Sequence, residues 1–161
     1  MTSNKQTIDI QRIAINAAYE GREDIVNDMI RRGANDFNDI AIAAAKGGHM
    51  DIVDDMIQRG AGRYDEFDQD IAEAAAEGGH LDIVKRMLET GIMNHQAIAD
   101  IAAEHGHLHI VKYMVKTYPD YVELNSVKDW AKEGGHQHIV DWLSTLKTTT
   151  LVWPRDYMLY Q

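Results

Sequence analysis

An all-α solenoid of about five helical hairpins is the fold class that the sequence predicts, and three observations carry it. The pair Ile-Val recurs at 25–26, 52–53, 83–84, 110–111 and 139–140, at intervals of 27, 31, 27 and 29 residues. Aligning on it also aligns an aliphatic column, Ile13, Ile40, Ile71, Ile98 and Val127, and a small-residue column, Ala17, Ala44, Ala75, Ala102 and Ala131. Just ahead of it stands a repeated octapeptide: KGGHMDIV (46–53), EGGHLDIV (77–84), EHGHLHIV (104–111) and EGGHQHIV (133–140), with an echo, EGREDIV, at 20–26. A fixed period of this length means one supersecondary unit stacked on copies of itself.

Each unit reads as two helices. The first, such as DIAIAAAKG (39–47), is alanine-rich with an apolar stripe at helical spacing, and its alanines let neighbouring helices come close. The second, such as MDIVDDMIQRG (50–60), places apolar residues at i, i+1, i+4 and i+5, a face of period 3.6. One hairpin cannot bury that face alone, whereas five side by side bury a continuous slab. The hairpins are expected near 8–34, 35–61, 65–92, 93–118 and 121–147, making residues 1–147 one array. The fifth departs from pattern: Tyr118-Pro119 replaces the Gly-Ala exit, and Lys128 and Lys132 replace alanines. Polar substitution on one side is what a terminal unit facing water requires. The remaining segment, 148–161, contains TTTLVWPRDYMLYQ, too apolar for a solvated tail and broken by Pro154. It is expected to cap the end of the array or to dock on another subunit, and self-association through 148–161 leaves open an alternative function, a structural component that assembles into an oligomer or larger particle through this tail.

Only the second glycine of the octapeptide recurs in all five units, as Gly21, Gly48, Gly79, Gly106 and Gly135. A single indispensable glycine at a helix end is what a left-handed residue after the last turn requires. A phosphate cradle would need the pair, and Asp24, Asp51 and Asp82 occupy the first turn of the following helix, where an anion would sit. The octapeptide therefore reads as the bend of a hairpin.

The unit resembles the ankyrin repeat. The shared features are the Ala-Ala of the first helix, the Gly-His turn, Ile-Val in the second helix, and the exits Gly33-Ala34, Gly60-Ala61 and Gly91-Ile92. The resemblance covers roughly residues 8–147. It departs from the family in lacking the threonine-proline-leucine-histidine turn, and in having only eleven residues from Gly33 to Ala44. The projecting β-hairpin fingers are thus expected to shrink to short loops. Such finger-poor arrays look like those encoded in large numbers by giant DNA viruses.

What the family resemblance implies is a non-catalytic module that binds a protein partner through first helices and the loops before them. Candidate contacts are the loop residues Phe37, Tyr64, Phe67, Met93, Tyr118 and Tyr121, with Tyr19, Lys46, Glu77, Glu104 and Trp130 on first helices. Phe37, Phe67 and Trp130 read equally well as packing between hairpins. Two further exposed columns drift along the chain: Asn16, Ala43, Ala74, Ile101, Trp130, and Ile15, Ile42, Glu73, Asp100, Asp129.

Sixteen basic against 26 acidic residues give a net charge of −10, with five basic and eleven acidic side chains between 61 and 120. That balance argues against nucleic acid and anionic membrane as partners and favours a protein with a basic surface. The N-terminus has no apolar signal core, and no stretch approaches the ~18 apolar residues of a membrane span. An intracellular, cytoplasmic protein is expected, acting in a host cell or a virion if the viral likeness holds. The absence of cysteine removes thiolate chemistry, no serine lies in a nucleophile elbow, and no enzyme activity or cofactor is expected.

The eight histidines raise metal. His49, His80, His107 and His136 fall one per hairpin, about 10 Å apart by helix spacing, too far to share one ion. Each is expected to hydrogen-bond backbone across its own bend. The cluster His105, His107 and His109 leaves a third reading open, a binding module responsive to a transition metal or to mild acid. There, histidine has replaced both the first glycine and the first-turn aspartate, and His138 repeats the second replacement.

Overall fold

A computed structural model describes residues 2–62, 67–92 and 94–148, with side chains from residue 9 to residue 146 of these. Ten helices run in chain order: α1 (Thr2–Tyr19), α2 (Glu23–Arg31), α3 (Phe37–Gly47), α4 (Met50–Gln58), α5 (Phe67–Gly78), α6 (Leu81–Leu88), α7 (His95–Glu104), α8 (Leu108–Thr117), α9 (Leu124–Glu133) and α10 (Gln137–Thr148). They pair into five hairpins, and no strand occurs among the described residues. The finger-less helical solenoid read from the repeat is the fold observed. Tyr64, Met93 and the segment 149–161, with its expected capping or docking role, lie outside the described residues.

Each hairpin turns on its glycine. Gly48 has φ +86° and Gly79 φ +84°, and the other three hinge glycines share that region. In every copy two backbone bonds close the bend: Gly48 N–H donates to Ala45 O (3.2 Å) and His49 N–H to Ala44 O (2.9 Å), repeated for Gly79/His80, Gly106/His107, Gly135/His136 and Gly21/Arg22. This pairing satisfies carbonyls that a helix end would otherwise leave open. The alanine column therefore has two duties, close packing and receiving the turn.

The closest backbone approaches between hairpins all join odd-numbered helices, α1 to α3, α3 to α5, α5 to α7 and α7 to α9. Small residues on those helices permit it; Ala41, Ala44, Ala45, Ala72, Ala75, Ala76, Ala99, Ala102 and Ala103 are all fully buried. The even helices contribute the bulk of the slab through Ile52, Met56, Ile83, Met87, Ile110 and Met114. Small residues on one layer and large ones on the other set the odd helices closer together than the even ones, which makes the odd-helix layer the inner face of the stack.

A column that the sequence reading passed over takes the place of the fingers. Gln11, Asn38, Gln69 and Gln96 stand two residues ahead of the aliphatic column, and each ties down the loop of the next hairpin. Gln11 accepts from Asn35 N–H (3.1 Å) and Asp36 N–H (3.2 Å) and donates to Asp36 O (3.0 Å). Asn38 accepts from Gly62 N–H (3.0 Å), Gln69 donates to Asn94 O (3.4 Å), and Gln96 accepts from Glu123 N–H (2.6 Å). Side-chain amides, which both donate and accept, can hold loops that have no strand ladder.

The two ends differ. Lys128 and Lys132, which replace the alanines that a following hairpin would cover, bond to Ser144 Oγ (2.8 Å) and Asp129 (2.6 Å). At the other end Ile13 is 45% exposed, whereas Ile40, Ile71, Ile98 and Val127 in its column are at 0%. Glu20 and Arg22 stand there in place of the glycine and histidine of the later hairpins and pair with each other at 3.6 Å.

Candidate functional site

The joints between hairpins explain the remaining letters of the octapeptide. Each histidine reaches back to the preceding hairpin, where the sequence reading had placed its bond within its own bend. His80 Nε2 lies 3.1 Å from Lys46 O and His107 Nε2 lies 2.9 Å from Glu77 O. A carbonyl only accepts, so Nε2 carries the proton in both. The reach has a steric basis: the hinge glycine of the preceding hairpin leaves the space that the ring fills. A Cβ on Gly48 would meet the His80 ring at 2.4 Å and one on Gly79 the His107 ring at 2.6 Å, whereas Gly135 has nothing within 4 Å. The first glycine is needed as well. A Cβ on Gly47, Gly78 or Gly134 would come within about 2 Å of Tyr19 O, Lys46 O or Glu104 O of the previous hairpin.

One joint lacks that first glycine. His105 stands at the end of α7 where Gly47, Gly78 and Gly134 stand elsewhere, and its ring turns back to Ile101 O (3.0 Å). Beside it opens a groove of about 380 Å³ across α3, α5 and α7. Ile42, Ala74 and Ile101 line it with apolar surface, and Asp70, Glu73, Glu77 and His105 with polar groups. Of the neighbouring odd helices, α5 and α7 are the least closely packed, at the one joint where a side chain stands in place of the first glycine.

Asp70, Glu73 and Glu77 follow at i, i+3 and i+7 and so share one face of α5. Lys46 pairs with Glu77 at 2.5 Å, and His105 Nε2 lies 3.5 Å from the same carboxylate. Glu73 accepts from Gln69 (2.7 Å). On α7, Asp100 accepts from Gln96 (2.8 Å) and Ser126 (2.9 Å), yet burial pushes its pKa up, those bonds oppose the shift, and Glu123 adds to it. A carboxylate whose charge the fold disfavours is one that an incoming cation relieves. The inner face thus offers negative charge over a partly apolar floor.

The expected contact residues divide. Lys46 and Glu77 meet at the groove, and Glu104 is half-buried on the same layer. Tyr118 and Tyr121 flank His95, with ring centres 4.3 and 5.1 Å away, and Tyr121 is 64% exposed. Tyr19 and Trp130 are exposed at opposite ends of the odd-helix layer. Phe37 is half-buried against the core. Phe67 is in the core at 3% exposure, packed beside Gly62, and presents no surface to a partner. Opening α5, it seals the gap to the preceding hairpin. Asp70 belonged to no candidate set, because its column (Arg12, Asp39, Asp70, Ala97, Ser126) has no common character.

The histidine cluster is likewise divided among backbone acceptors: His105 to Ile101 O, His107 to Glu77 O, and His109 Nε2 to Gly79 O at 2.9 Å. His138 repeats the last, to Gly106 O at 3.2 Å. Among the described residues no three metal-ligating side chains are gathered to hold an ion.

Residues 41–127, more than half of the chain, match the family model for ankyrin repeats, in three copies. No curated protein matches the chain.

Proposed function

The chain belongs to the ankyrin repeat family, and on that premise we propose that it is a non-catalytic docking protein whose inner groove seats a basic surface of a protein partner. Ankyrin repeats are generally protein-interaction modules. The observation that carries the finer proposal is the groove across α3, α5 and α7, where Asp70, Glu73 and Glu77 border Ile42 and Ile101. A lysine or arginine side chain has the matching form, an aliphatic stem for the apolar walls and a cationic head for Asp70 and Glu73. A stable complex would bury about 800 Å² on each side, more than the groove alone, so neighbouring first helices and the Tyr118–Tyr121 loop complete the surface. Among the described residues no helix is long and apolar enough to cross a membrane.

Reversing the charge of the groove tests this. The double variant D70K/E73K should lose captured partner by roughly 10- to 100-fold, the scale of central charged contacts, while E23K, exposed on α2 in the even-helix layer, keeps it. Quantitative affinity capture with the three proteins, each first shown to be folded by circular dichroism, reads the outcome. Equal capture by all three would remove the groove from the account.

A further inference from the structure

We propose that the joints joining the fourth and fifth hairpins to the stack are proton-operated: in mild acid, imidazoles that face each other there become charged and α7–α10 unseat, while α3–α6 hold. The first two joints each use one histidine, His49 or His80, followed two residues later by aspartate, Asp51 or Asp82. The last two place a second histidine at that position. His107 and His109 have ring centres 6.0 Å apart, and His136 and His138 5.8 Å apart. All lie at the start of α8 or α10, where the helix dipole already disfavours a cation.

The surroundings of the third joint sharpen the contrast. From α5 and α3, the Glu77 carboxylate is held by Lys46 at 2.5 Å and faces His105 at 3.5 Å, so its charge is already engaged. Both nitrogens of His105 face acceptors, Ile101 O and Glu77 Oε1. His107 feels His105 beside it, His80 from the preceding bend and His109 from its own helix. His107 is pushed below the ordinary histidine value, first by burial and then by those three rings, against its bond to Glu77 O. A histidine depressed in the folded state lends stability that is present above its unfolded value of 6.5 and is lost as pH falls through the folded value. At the fourth joint His138 bonds Gly106 O, and the His136 ring lies over Gly106, with the Glu104 carbonyl beside Gly134. Protonation does not remove a Nε2–H bond to a carbonyl; it sets two cations side by side in the joint.

Hydrogen exchange of the full chain at pH 7.5 and 5.5, corrected for intrinsic rates, tests this helix by helix. Protection of α7–α10 should fall at least about tenfold, the equivalent of one pKa unit of differential interaction, while α3–α6 change little. H109D/H138D, which restores the aspartate of the earlier hairpins, should keep that protection at pH 5.5. If the double variant is unfolded at pH 7.5, H109D alone is read in the same way at the third joint. No loss, a loss spread evenly over all helices, or the same C-terminal loss in the variant would each overturn the proposal.

Discussion

Gly78→Ala is expected to destabilise the array by about 3–5 kcal/mol, the range of severe overpacking and backbone displacement. Gly78 lies within helix α5, where alanine would ordinarily be the better residue by about 1 kcal/mol. The reversal comes from the preceding hairpin: the added carbon would sit 2.1 Å from Lys46 O, and backbone cannot swing aside as a side chain can. Either α5 moves off α3, or the Schellman turn at Gly79 opens and His80 loses its bond to Lys46 O. His105→Ala is the matched control, since the same place in α7 already carries a side chain. It should cost under about 1 kcal/mol, as exposed substitutions do. Urea denaturation of both variants measures the difference; equal losses would mean that the first glycine answers to something other than the joint.

Ile40→Ala and Ile13→Ala should differ just as widely although they share a column of the repeat. Ile40 is at 0% exposure, covered by its own hairpin and its neighbours, so truncation leaves a cavity costing about 2–5 kcal/mol. Ile13 is 45% exposed at the open edge of α1, and its loss should be within about 1 kcal/mol. For a protein of this size the first change lowers Tm by about 4–20 °C, and the second by no more than about 2–4 °C. If the two variants melted alike, the stability would not come from stacking each hairpin on its neighbours.

The helices, their pairing and the hinge glycines were legible because each leaves a periodic mark. Apolar residues recur at helical spacing, and a left-handed position tolerates little besides glycine. The repeat also showed where the pattern breaks, and EHGHLHIV proved to border the groove. What the break does was not legible, because an imidazole bonding across the joint and one bonding across its own bend have the same spelling. The loop latches were hidden for a related reason. The column mixes Gln with Asn, and their common role emerges only when the backbone groups of the next loop are in place. Phe67 shows the limit for aromatic residues: beside a loop its type suggests an interface, while its position at the start of α5 puts it inside. Asp70 has only Asp39 as a like residue in its column, and the face it shares with Glu73 and Glu77 brings it into the site.

Partner docking on the inner, odd-helix face is the claim on which the functional account turns, and site-specific photocrosslinking tests it most directly. A photoreactive residue placed at Ile101, in the groove wall, should capture a discrete protein partner. The same residue at Ile57, exposed on the even-helix face at 37%, should capture none above background. A partner captured from Ile57 and not from Ile101 would contradict the account and move the binding surface to the outer helices.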